Sequence, residues 1–86
     1  MQDIQRLLNN PFFLSALAKY ENGAKIHKYE IKAIIDECKK GYKQSINETD
    51  IIAQEKQEMI EGYNRIADAV EHYVEQSLRI RGRLEE

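Results

Sequence analysis

The chain has no tryptophan, one cysteine, one proline and two phenylalanines in 86 residues. With Cys38 alone no internal disulfide can form, and no CxxC or paired Cys/His spacing marks a zinc site. No stretch approaches the ~20 apolar residues that a membrane span requires. The opening "MQDIQRLLNNPFF" has an early acid and no continuous apolar run, so it does not read as a secretory signal. These absences predict a cytoplasmic protein. Gly-rich phosphate loops, G-x-S-x-G and H-E-x-x-H are missing too, so neither an enzyme nor a cofactor is expected.

Size adds a further limit. A single domain of residues 1–86 buries only about 60–65% of the surface its unfolded chain exposes. Without disulfide or metal, stability must come from good helix packing or from a partner.

What is present is helical. Charged residues make up 33% and hydrophobic ones 42%, at a net charge of −2. That hydrophobicity is too high for a disordered chain. The charge is unevenly spread. Residues 24–44 hold six lysines against Glu30, Asp36 and Glu37, whereas residues 45–75 hold eight acids against Lys56 and Arg65. A basic helix followed by an acidic one suits an antiparallel hairpin.

Local signals set the elements. Asn10 can cap free N–H groups and Pro11 suits the first helical position, which predicts a short helix over 11–21 closed by Gly23. Ile4, Leu7 and Leu8 suggest a turn or two of fraying helix before it. A 3.6-residue period through His27, Ile31, Ile34/Ile35, Cys38 and Tyr42 predicts a second helix over 24–42, with "KKG" at 39–41 as a stop or an interior passage to about Gln44. "SINETD" reads as a loop. A third helix is predicted over 49–81, where Ile52, Met59, Tyr63, Ile66, Val70, Tyr73 and Ile80 keep the 3-and-4 spacing of a heptad seam. Ile60, Ala67 and Val74 widen the stripe by one column, as in bundle helices. The predicted fold is therefore all-α: a short N-terminal helix and an antiparallel hairpin, resembling a three-helix bundle.

Length then carries the functional reading. The last helix, at about 33 residues, forms a rod of roughly 50 Å, and its neighbour reaches only about 25–32 Å. Folded back, the neighbour covers the stripe from Ile52 to about Ala67, and Val70, Tyr73, Val74, Leu78 and Ile80 remain beyond its end. Either the first helix swings over at Gly23 and lays Phe12, Phe13 and Leu17 on them, or another chain covers them. A patch of that kind is unusual on a stable monomer. The expected interface is thus Val70, Tyr73, Val74, Leu78 and Ile80, with Phe12 and Phe13. Tyr63 is expected to pack within the chain.

Rival chemistries are weaker. His27 with Glu30 and His72 with Glu75 are i,i+3 pairs, but a bundle di-iron site needs E-x-x-H on two helices and further inward glutamates, so no metal is expected. Cys38 aligns with Ile31, Ile34 and Ile35 as a small core residue. "LAKYENGAKIHKYEIKAII" offers a helix–turn–helix reading with Lys25, Lys28 and Lys32 on a basic 24–44 helix. That helix lacks arginine and the chain is slightly acidic, which argues against a nucleic-acid footprint. An acidic polar face argues against a membrane surface. The expected function is a protein–protein interaction module of adaptor, chaperone or inhibitor type. It would act as a homodimer or in a hetero-complex; a nucleic-acid-binding regulator is the alternative.

Overall fold

The computed structural model describes the backbone from residue 2 to residue 86 and the side chains from residue 5 onward. The fold is all-α. Among the described residues the elements run α1 (Gln2–Asn9), α2 (Pro11–Glu21), β1 (Ile26–His27), α3 (Lys28–Asn47), α4 (Ala53–Ile80) and β2 (Leu84–Glu85).

Local chemistry explains the boundaries. Asn10 is buried, and its Oδ1 accepts from the N–H groups of Phe12 at 2.8 Å and Phe13 at 3.2 Å. Two of the donors that a helix start leaves unpaired are thereby satisfied, with Pro11 at the first helical position. Helices α2 and α4 end alike. Gly23 and Gly82 take positive φ (79° and 68°), which lets the following N–H turn back onto the helix. Ala24 N–H then reaches Lys19 O at 2.9 Å, and Arg83 N–H reaches Leu78 O at 2.8 Å.

Helix α3 departs from the sequence expectation at both ends. Residues 24–27 are not helical, because Ile26 is drawn into a parallel pairing with Leu84 on the far end of the chain. The helix starts instead after His27, whose Nδ1 accepts from Tyr29 N–H at 3.1 Å. Gly41 does not stop it. That glycine is buried inside α3, and a Cβ there would lie 2.7 Å from Arg6 Nη1, so the bare backbone leaves room for the Arg6 side chain of α1. The helix runs on to Asn47, the loop shrinks to 48–52, and α4 starts at Ala53.

The core is thin. Helices α3 and α4 form the hairpin, with Ile31 and Ile35 facing Ala67 and Leu78. Tyr42 and Tyr63 stack between the two helices, their ring centroids 4.1 Å apart and nearly parallel. Helices α1 and α2 lie against α3, while Ala16, Ile26 and Leu84 close the end of the core around Leu78. No large side chain among the described residues is fully buried. The molecule is a slab of 46 × 23 × 17 Å with a radius of gyration of 14.6 Å; a compact chain of this length would give about 12 Å.

Candidate functional site

An α-helix turns about 100° per residue, so two neighbouring apolar columns on α4 point in different directions. The structure decides between them. Tyr63, Ala67, Val74 and Leu78 share a sector about 60° wide and face α3 and the core. Ile52 at the N-cap and Met59, Ile66, Tyr73 and Ile80 along α4 recur at intervals of seven, with Val70 between them; they lie about 60–140° to one side. This second column is open to solvent along its whole length: Ile52 is 64% exposed, Ile66 67%, Tyr73 71% and Ile80 85%.

The apolar pattern and helix lengths predict an uncovered surface at one end of the long helix, beyond the reach of its neighbour. It lies along one side instead. Of the expected interface residues, Val70, Tyr73 and Ile80 are exposed on the seven-residue column. Val74 is half-buried against the core and Leu78 is buried at 7%, because β1, β2 and α2 close that end. Phe12 is exposed and Phe13 half-buried. Neither lies in the core cluster around Leu78, where Ala16 is the only contribution of α2. Ile52, Met59 and Ile66 join the exposed set from the half of the helix that the hairpin was expected to cover.

The surroundings of the column suit helix packing. From Met59 to Ile80 the sector carries no charge, and its other positions are Gly62, Ala69, Gln76 and Ser77. Gly62 has open space around it: the nearest atom to an added Cβ is Arg65 Nη2, 3.9 Å away. A glycine inside a helix costs about 1 kcal/mol relative to alanine, and nothing in this chain's own packing requires it. On the opposite edge of α4, Asp68 accepts from Lys39 Nζ and so ties α4 to α3. Asp68 holds the Lys39 ammonium above its ordinary value of 10.5, chiefly through that hydrogen bond.

A second open apolar surface lies on the N-terminal helices, where Leu8, Phe12, Leu14 and Leu17 are all exposed. A cleft between these helices and α3 is lined by Arg6, Asn10, Phe12, Cys38, Gly41 and Tyr63.

The basic cluster "RIRGR", read from sequence as a helix end or an acidic-partner contact, has an internal use. Arg83 Nη2 donates to the carbonyls of Tyr20 and Ala24, and its guanidinium lies 4.5 Å over the Tyr20 ring. Arg81 Nη1 donates to the Tyr20 hydroxyl at 2.8 Å. Arg83 therefore serves the negative end of α2, and Arg81 holds the Tyr20 side chain beside it. Sequence reasoning missed this, since the partners are about sixty residues apart. Of the lysines in the helix–turn–helix reading, Lys32 sits in an i,i+4 pair with Asp36, while Lys25 and Lys28 are exposed. No helix among the described residues is long and apolar enough to cross a membrane. No protein-family model, no curated protein and no solved structure matches the chain.

Proposed function

We propose that the protein is a helical interaction module that binds another protein helix along the exposed seven-residue column of α4. The observation that carries this reading is the column itself: Ile52, Met59, Ile66, Tyr73 and Ile80, open to water and in strict seven-residue register. Solvated helix faces carry charge; a repeat of seven with apolar members is what a left-handed helix–helix contact needs. A compact monomer of 10.1 kDa exposes about 5,300 Å², and this chain exposes 6320 Å². The excess, about 1,000 Å², belongs to an elongated shape in which the column and the N-terminal apolar surface both stand open.

The test compares two sets of substitutions. Val70→Asp and Tyr73→Asp place a charge on the open column, so association should be lost while circular dichroism shows unchanged helicity. Ala67→Asp and Leu78→Asp place the same charge in the core and should unfold the chain. If Val70→Asp instead unfolds the chain, or if association survives both column variants, the reading fails.

A further inference from the structure

We infer that the partner on this column is a second copy of the same chain, with the two α4 helices running antiparallel and centred near Ile66 and Val70. The inference rests on the proposed function and names its partner. Three observations point to it.

The first is length. The column extends from Ile52 to Ile80, about 42 Å of helix. Covering it from end to end takes a helix as long as α4, which has 28 residues; α3 has 20. A second α4 supplies both that length and an identical seven-residue repeat.

The second is charge. Beside the first turns of the column stand Glu55 and Glu58, both exposed, while Lys56 on the other flank donates to the carbonyl of Asn47. Beside its last turn stands Arg79, whereas Arg81 is held by the Tyr20 hydroxyl. Antiparallel pairing lays the acidic end of each copy along the arginine end of the other. Parallel pairing would gather four glutamates at one end and two arginines at the other. Arg79 already pairs with Glu86 at the surface, and exposed pairs of that kind exchange readily.

The third is space. Gly62 and Ala69, one heptad apart on the edge of the column, lie to either side of the proposed centre. Small side chains there let a second backbone approach closely, and the open surroundings of Gly62 leave room for one. Close approach brings the apolar members of both columns into contact and removes them from water.

Sedimentation equilibrium of the full chain should give a two-chain mass that falls to one chain in Ile66→Asp. Glu58→Lys alone and Arg79→Glu alone should each weaken the dimer, by roughly 5- to 20-fold for two symmetry-related exposed pairs. The double reversal should restore it. In a Cys38→Ala background, nitroxides on Gln54→Cys should sit about 40 Å apart across the antiparallel dimer; in a parallel one they would lie within about 20 Å. A short distance, or a double reversal that fails to rescue, overturns the antiparallel arrangement. A two-chain mass that persists in Ile66→Asp overturns the column as the contact. A one-chain mass at high micromolar concentration overturns self-pairing. In that last case, capture of a different protein by the wild-type chain but not by Val70→Asp would leave the interaction-module reading standing; no column-dependent association of any kind would remove both.

Discussion

Two side chains hold the N-terminal third in place, and each makes bonds that a substitution would leave unmade. Asn10 accepts from two backbone donors while buried. Replacing a good N-cap by alanine costs about 1–2 kcal/mol. Asn10→Ala should lower the urea midpoint accordingly, and Asn10→Asp should recover most of the loss. Arg83 spreads its donors over the carbonyls that end α2. Lysine carries the charge without the planar fork, so Arg83→Lys should lose most of what Arg83→Ala loses, about 1–3 kcal/mol. Thermal unfolding of the two variants side by side checks this. The Asn10 cap was legible from "NNP" because a cap acts within three residues. The Arg83 contact was not, because its partners are 59 to 63 residues away and nothing in "RIRGR" specifies them.

At the scale of an element, α4 shows where pattern reading stops. Apolar spacing of 3 and 4 correctly signals a long amphipathic helix, yet it does not say which of two adjacent columns faces inward. Both carry a valine and a tyrosine. The inward choice falls on Tyr63, Ala67, Val74 and Leu78, where small Ala67 lets α3 come close and Tyr63 finds Tyr42 to stack on. The predicted start of α3 is too early for a related reason: His27 fits the period of the helix that follows, and nothing in residues 24–27 announces the extended pairing of Ile26 with Leu84 that a distant segment imposes. Gly62 offers an element-scale test. In an isolated helix face Gly62→Ala should raise stability by about 1 kcal/mol. Where a second backbone lies against it, the same change should weaken association. Denaturation measured well below and well above the association midpoint therefore separates the two, with gain at low concentration and loss at high. The Lys39–Asp68 tie makes a pH prediction. Because the folded-state pKa of Lys39 is raised, its stabilisation is fully present below the ordinary value of 10.5 and is lost as pH rises through the folded one. The stability difference between wild type and Lys39→Met should be a few tenths of a kcal/mol near neutrality, as for surface pairs generally, and should disappear as the pH rises through the raised folded-state value.

For the whole molecule the governing fact is a shortage of interior. Eight apolar residues form the buried core among the described positions, two of them alanine, and no large side chain is fully enclosed. A chain with so little inside has marginal stability by itself. Mass action should therefore be visible: if the column is buried by association, the melting temperature rises with protein concentration. A hundredfold dilution should lower it by several degrees in the wild type and leave Ile66→Asp unmoved; calorimetry or circular dichroism at two concentrations gives the answer.

The pairing of Ile26 with Leu84, together with the grip of Arg83 on the end of α2, works as a latch between the two extremities of the chain. Loop closure over such a distance is entropically slow to gain, so this latch should fasten after the α3–α4 hairpin has formed. Trimming residues 82–86 should leave the hairpin closed and free α2 to exchange its amide protons quickly. During synthesis, the C-terminal end of α2 would have to wait for residues 82–86 before it could be fixed in place.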